Sequence, residues 1–512
     1  MFIKRNKIKT ILILFIAITA LPLLAGQYNV KDYGAIGNGK AIDSPAINKA
    51  IDAAAEAGGG TVYFPAGTYL SFTIRLKSNI GLYLDHGAVI LAASHKDHDG
   101  GYDPAEPNEW NMYQDFGHSH WQNSLIWGEG INNISICGPG KIQGDGLGKW
   151  DHPEEEGAGN KAIALKNCRN VILRDITMEK CGHFAIMPTG VDNFTIDNLQ
   201  IDTNRDAIDI DCCKNVRISN CLINTPNDDA IVLKSSYGLG YARATENVMI
   251  TNCQVSGYDL HTLLDGTFQK TQKEAPDHGG VTGRIKFGTE SNGGFKNITI
   301  TNCTFDHCRG LALETVDGGI LEDVTISNIT MRDMTNSPLF LRIGRRMRGP
   351  KDLKIGTMRR INISNIIVYG AYPESASLIV GIPGHNIEDV KVNNIQFLVT
   401  GGVTEDFSEI EVPELEEHYP DPRFFGKIPA YGFFIRHVDG IEFNNVEIRY
   451  VNDDARPAFV LEDVKNAEFN NVDTQKMNDV PMFKLKNVRN FETNQCESVE
   501  DTKLEEVEDN AF

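Results

Sequence analysis

From about Leu125 onward the chain alternates apolar and polar residues with period two in short runs, VILRDITM, VRISNCLI and ITITNCTF among them. Each run is rich in β-branched side chains and bounded by turn residues, the pattern of short strands with one buried face. The runs recur behind Asn170, Asn193, Asn215, Asn247, Asn297, Asp323, Arg360, Asp389, Gly440, Asn466 and Asn490, at separations from 22 residues upward. The fifth residue after nearly all of these is asparagine, as at Asn198, Asn220, Asn252, Asn302, Asn328, Asn365, Asn394, Asn445 and Asn471. Units this short and regular do not suit alternating strands and helices. Each buries its apolar face only by stacking on its neighbours. The pattern predicts an all-β, single-stranded, right-handed parallel β-helix of about three strands per coil, with an asparagine ladder at one corner.

Other stretches depart from the alternation. MFIKRNKIK is basic, and TILILFIAITALPLLA is an apolar run too short and wrongly flanked for a lasting membrane span. Residues 1–26 therefore read as a secretory signal peptide cleaved near Ala25 or Gly26. Gln27 stands where lipoprotein processing would need cysteine, so a soluble exported protein, periplasmic or secreted, is expected. Ala46 to Ala57 has helical apolar spacing, halted by Gly58-Gly59-Gly60. This helix is expected to cap the open first coil. The organisation that follows is a cap with the first coils at 27–125, a β-helix at 126–500 continuous with it as one domain, and an acidic tail at 501–512. Segments between Asn247 and Asn297 and between Val403 and Pro429 break the period. In a solenoid such insertions leave the coil as loops that wall a binding face.

The formal net charge of -20 argues against nucleic acid or an anionic membrane surface as partner. A monomer is the expected state. Of the ten cysteines, Cys221, Cys253, Cys303 and Cys496 each fall six residues after a repeat start, in the slot that Ile176 and Leu199 fill elsewhere, and so read as inward apolar residues. Pairing among Cys181, Cys212 and Cys213 is left open, and no catalytic thiol is expected.

The candidate chemistry lies in two successive coils. Asp206 stands thirteen residues after Asn193; Asp228 stands thirteen after Asn215, with Asp229 beside it. In coils stacked roughly 4.8 Å apart, equal register brings three carboxylates into one patch. They cannot all ionise freely, so at least one pKa should rise, as a general acid near neutral pH requires. His183, thirteen residues after Asn170, is expected level with Asp206, and His261, fourteen after Asn247, level with Asp229. Asp209 and Asp211 follow on the same strand, two residues apart.

Several strings resemble glycoside hydrolase family 28, the polygalacturonases and rhamnogalacturonan hydrolases of pectin breakdown. They are GPGKIQGDGLGKW at 138–150, Asn204-Arg205-Asp206, and Asn227-Asp228-Asp229 followed by AIVLKS. The resemblance covers most of the mature chain and implies a pectin lyase-like solenoid. It implies Asp228 as general acid, with Asp206 and Asp229 holding and deprotonating water to give inversion, and no metal or organic cofactor. His261 joins the catalytic candidates, and Asn204, Lys234, Arg284 and Lys286 the substrate-binding ones. The implied substrate is an acidic plant cell-wall polysaccharide, pectin or rhamnogalacturonan. The sequence departs from the family pattern twice. His261 lacks flanking glycines, and the position for Arg-Ile-Lys holds Ala312-Leu313-Glu314, while Arg284-Ile285-Lys286 occurs about one coil earlier. The basic run from Arg342 to Arg360 is a candidate subsite for a polyuronate, and Trp110, Trp121, Trp127 and Trp150 are candidate sugar platforms. Two alternatives remain: a Ca²⁺-dependent pectate lyase-like β-eliminase using Asp209 and Asp211, and a carbohydrate-binding β-helix without catalysis.

Overall fold

The structure is a computed structural model that describes residues 26–115, 118–148, 155–273, 280–405, 407 and 410–512. The expected signal peptide, apart from Gly26, and Trp150 lie outside them. Among the described residues no helix is long and apolar enough to cross a membrane.

The chain winds into one right-handed parallel β-helix whose described residues form a 34-stranded sheet system. Each strand pairs with its counterpart one coil away, as where Arg169–Arg174 lies between Asn132–Cys137 and Asp192–Asp197. Inward residues of successive coils stack into a single apolar core, which later in the chain becomes a file of rings: Phe433 on Phe459 at 5.7 Å and Phe459 on Phe483 at 5.3 Å. Helix α1, Ser44–Glu56, begins two residues before its apolar pattern and buries Ala46, Ile47, Ala50, Ile51 and Ala54 against the strands of the first coil. At the other end, the acidic stretch Thr502–Ala511 is a strand, antiparallel to Phe483–Asn494.

The recurring asparagines have a backbone cause. Asn193, Asn215, Asn247 and Asn297 all take φ between 54 and 57°, and so do Asn252, Asn302 and Asn365 in the second series. Asparagine tolerates this left-handed corner better than other non-glycine residues. There are two such corners per coil rather than the one expected. At each the amides chain together, Asn215 to Asn193 at 3.2 Å and Asn394 to Asn365 at 3.0 Å. Where Arg360 and Asp323 replace the amides, an ion pair of 2.7 Å continues the stack.

Six consecutive strands of one sheet carry the site: β1 Phe184–Thr189, β2 Asp206–Asp211, β3 Ile231–Lys234, β4 Ile285–Phe287, β5 Leu311–Thr315 and β6 Leu339–Ile343. Two insertions lie on the outer face of this sheet. Ahead of the aspartates, Trp121 packs on Ala164, Phe184 and Met187. Beyond them, Val412, Phe425 and Ile428 pack on Phe340, Leu378 and Phe434 in a second small core. All ten cysteines are free, and Cys221, Cys253, Cys303 and Cys496 are buried, as their inward register predicts.

Candidate active site

Counting from the corner asparagines sets Asp206 against Asp228, and the ladder corrects this by one residue. Gln200 pairs with Leu222, a separation of 22, but Ile208 pairs with Ile231, a separation of 23. The turn after Asn224 is one residue longer than the turn after Asp202, so Asp206 lies opposite Asp229. The same effect in reverse pairs Phe184 with Asp206 and leaves His183 beside Arg205, its Nε2 3.4 Å from the guanidinium.

The three aspartates nevertheless meet, with side-chain oxygens within 4.8 Å of one another. They are nearly enclosed, at 5% exposure for Asp206, 8% for Asp228 and 3% for Asp229. The Asp229 backbone N–H donates to Asp206 Oδ1 at 3.1 Å and to Asp228 Oδ1 at 3.0 Å. Arg205 pairs with Asp228 Oδ2 at 2.8 Å. Arg284 Nε donates to Asp229 Oδ1 at 2.7 Å, and Lys286 Nζ stands 3.5 Å from Asp229 Oδ2. Arg284-Ile285-Lys286 thus opens the coil directly after the aspartate pair, Ile231 pairing with Ile285.

These partners divide the cluster. Burial, then Asp228 and Asp209, push the Asp206 carboxyl well above its ordinary range. Burial would raise Asp229 too, but Arg284 and Lys286 outweigh it and hold Asp229 below the usual carboxylate range. Lys234 is buried; burial works against its charge, but Glu290, then Asp209 and Asp206, raise its pKa. Asn204 accepts from the Asn227 amide, and Asn227 in turn accepts from Gln272, so Asn204 belongs to a side-chain relay next to Asp228.

His261 does not join the cluster. Its backbone N–H donates to Asp202, and its Nδ1 lies 3.4 Å from Glu179. The coil leaves the solenoid after Ser256 and resumes only at Ile285, so fourteen residues from Asn247 fall in the insertion. Besides His183, the site holds His118, from the Trp121-bearing segment, with Nε2 3.1 Å from Asp209 Oδ2. His118, Asp206 and Asp209 form a second group of potential metal ligands, but buried Lys234 interacts with both aspartates and supplies positive charge there. Two expected subsites are partly taken up by contacts within the protein. Five arginines of the basic run are paired within the protein, Arg345 with Glu416, Arg346 with Asp317, Arg348 with Asp115, and Arg359 and Arg360 with Glu322. Trp121 is fully buried, donating from Nε1 to Thr189, and cannot stack on a sugar. A cavity of about 860 Å³ lies beyond Gln272, lined by His307, Tyr372 and Arg423, but none of the aspartates borders it.

Residues 111–259, which include all three aspartates, match the model of the glycosyl hydrolases of family 28. The coils that carry the aspartates are thus similar to those of glycosyl hydrolase family 28. Residues 27–103 match a second model, rhamnogalacturonase A/epimerase, pectate lyase-like. A probable polygalacturonase of Vitis vinifera is 25% identical over 319 residues, 56% of this chain and 62% of that one. The plasmin and fibronectin-binding protein A of Streptococcus pneumoniae is 36% identical over 277 residues, 49% of this chain and 34% of that one. The chain therefore spans less than two thirds of either relative. A hyperthermoactive exopolygalacturonase of Thermotoga maritima has the same fold, with a TM-score of 0.56, 17% identity and 95% of each chain covered. The family 28 match ends before Arg284 and Lys286, so their membership of the site rests on the strand ladder and on their contacts with Asp229.

Proposed function

We propose that this chain is a glycoside hydrolase that cleaves galacturonate-containing bonds of pectin or rhamnogalacturonan with inversion, working from a chain end. The observation that carries the reading is the division of one tight carboxylate cluster, Asp206 driven toward its protonated form and Asp229 kept as carboxylate by Arg284. Acid and base are then available together, as glycoside hydrolysis requires. Asp228, the most exposed of the three, protonates the leaving oxygen. Asp206 and Asp229, stacked on adjacent coils, hold the water, and Asp229 accepts its proton. The proton kept by the cluster starts on Asp206 and reaches Asp228 across a gap of at most 4.8 Å. That spacing is shorter than the roughly 6.5–9.5 Å that leaves room for water between acid and base in inverting enzymes. Inversion therefore requires the water to sit on the Asp206–Asp229 pair, to one side of Asp228.

Chain-end action is supported by the two insertions. Between the Trp121 wall and the Phe425 wall only the coils of β2, β3 and β4 keep an outer face free of these apolar cores, a length of roughly 15 Å at the usual strand spacing. A polymer lying along the solenoid meets a wall in either direction. The lyase reading loses its ligands, because Asp209 is bonded to His118 and Asp211 accepts from the backbone and hydroxyl of Ser236. A purely binding role, suggested by the name of the streptococcal relative, gives no reason for a carboxylate held protonated beside one held ionised.

Mass spectrometry of products from polygalacturonate and rhamnogalacturonan, with EDTA present, tests the reading against Asp228→Asn. Saturated single sugars or short end fragments from the parent and almost none from the variant are expected. Unsaturated products that EDTA suppresses would replace hydrolysis by elimination, and no product on either polymer would overturn the enzyme reading. Proton NMR of the first-formed anomer decides inversion.

A further inference from the structure

Glu314 lies on β5, on the same outer face as Lys286, one coil beyond it, Lys286 pairing with Ala312. It is fully buried, and neither carboxylate oxygen accepts a hydrogen bond. Its nearest cation is Lys286, whose Nζ is 3.8 Å away and is shared with Asp229 at 3.5 Å. The other charged and titratable groups around it are committed elsewhere. Arg342, its register partner on β6, donates to the carbonyls of Gly381, Glu414 and Leu415. Asp421, from the walling insertion, is paired with Arg309 at 3.0 Å and with Arg423 at 2.9 Å. Tyr419, from the same insertion, accepts from Lys286 at 3.1 Å. Arg284 is bonded to Asp229.

The buried set thus holds two cations, Arg284 and Lys286, against two anions, Asp229 and Glu314. An incoming sugar carboxylate would make three anions against two cations where water is scarce, which is unfavourable. Protonation of one carboxylate restores the balance. Asp229 has a short bond from Arg284 to keep it ionised, whereas Glu314 has no hydrogen bond to lose. We propose that Glu314 is a proton-exchanging specificity residue, which takes up one proton from solvent when an anionic sugar carboxylate replaces the Tyr419 hydroxyl on Lys286. The inference rests on the reading of the substrate as a uronate. Burial pushes the Glu314 carboxyl up to about 7, against Lys286 and then Arg284, so the exchange falls in the neutral range. A methyl-esterified or neutral sugar adds no charge and calls for no proton.

Isothermal titration calorimetry of D-galacturonate and of its methyl ester on the full chain tests this, from about pH 6 to about pH 9 in two buffers of different ionisation enthalpy. For the parent, galacturonate affinity is expected to fall by up to about tenfold per pH unit above about pH 7, with up to one proton taken up per ligand. The ester is expected to bind without uptake. In Glu314→Gln the slope and the uptake above neutrality disappear, while raised Asp206, also near the site, is left unchanged. A flat parent profile without uptake overturns the proposal, and so does a folded Glu314→Gln protein that keeps the parent's slope. Should that variant fail to fold, the parent's two-buffer comparison decides alone. Failure of galacturonate to bind at any pH overturns the uronate reading itself, a result distinct from binding without proton uptake.

Discussion

Arg284→Gln removes the group that holds Asp229 below the usual carboxylate range. Arg284 Nε stands 2.7 Å from Asp229 Oδ1, and both side chains are about 5% exposed. At an effective dielectric near 20 and about 4 Å between charge centres, the pair is worth about 4 kcal/mol. Lys286 at 3.5 Å retains part of that, leaving about 3 kcal/mol to be lost. The Asp229 carboxyl is thereby raised, at about 1.4 kcal/mol per pH unit, and burial, no longer opposed by Arg284, drives it the same way. The acid limb of kcat/KM is expected to move up by about two units, so that well below the limb activity falls about a hundredfold while the plateau above it changes less. Stability follows with a definite sign. In the parent, Asp229 is depressed below its unfolded value and stabilises the fold above about pH 4, a contribution lost as pH falls further. In the variant it is raised instead. The thermal deficit relative to the parent is therefore largest at neutral pH and shrinks toward acid. Reducing-sugar release across pH, with thermal melting at each pH, measures both. A variant that melts cooperatively yet keeps the parent's acid limb would refute Asp229 as the base.

Asp206→Asn keeps the oxygen that accepts from Asp229 but removes a carboxyl whose folded pKa is raised, a group that destabilises the fold above its unfolded pKa. Denaturant unfolding at neutral pH should show a gain of about 1–2 kcal/mol together with loss of turnover. Trp121→Ala empties a fully buried site on Ala164, Phe184 and Met187 and should cost about 3–5 kcal/mol by the same method. If the wall enforces chain-end action, the surviving folded protein should release longer fragments from end-labelled oligosaccharides. Asn365→Ala removes two amide bonds, of 3.1 and 3.0 Å, and places alanine at φ 55°, an expected loss of about 2 kcal/mol visible in the urea midpoint.

The solenoid was legible because its corners repeat a backbone requirement. A left-handed φ at each corner favours asparagine, and period-two strands between corners fix which side chains point inward. Buried Cys221, Cys253, Cys303 and Cys496 follow from that register alone. The surroundings of the aspartates were not legible in the same way. His118 comes from the segment ahead of the solenoid repeat, Glu290 from the turn after β4 and Tyr419 from the second insertion, and no periodicity ties such residues to a coil. His261 shows the converse, a residue counted into a coil the chain had already left. Glu314 could have been found, since Ala312-Leu313-Glu314 continues period two and puts Glu314 on the face that Lys286 occupies one coil before.

The single residue by which the count from Asn215 fails has a chemical consequence. Neighbours within a regular strand face opposite sides of a sheet, so two adjacent aspartates on one strand would have one carboxylate in the apolar core. The longer turn after Asn224 keeps both outside it, because β3 begins only at Ile231. Asp229 takes the stacked place over Asp206 and receives Arg284, while Asp228 is displaced toward the opening, its side chain 12% exposed against 5% for Asp229. One added residue in a turn thus gives adjacent aspartates unlike environments, Asp229 held by Arg284 below and Asp228 paired with Arg205 nearer the opening. Deleting a residue from 225–227 should leave Asp229 opposite Asp206 at a separation of 22, take away the extra residue that displaces Asp228 and abolish turnover, while the ladder on either side, which already tolerates separations of 22, still folds. Activity retained by such a deletion would show that the offset between the two aspartates has no part in the chemistry.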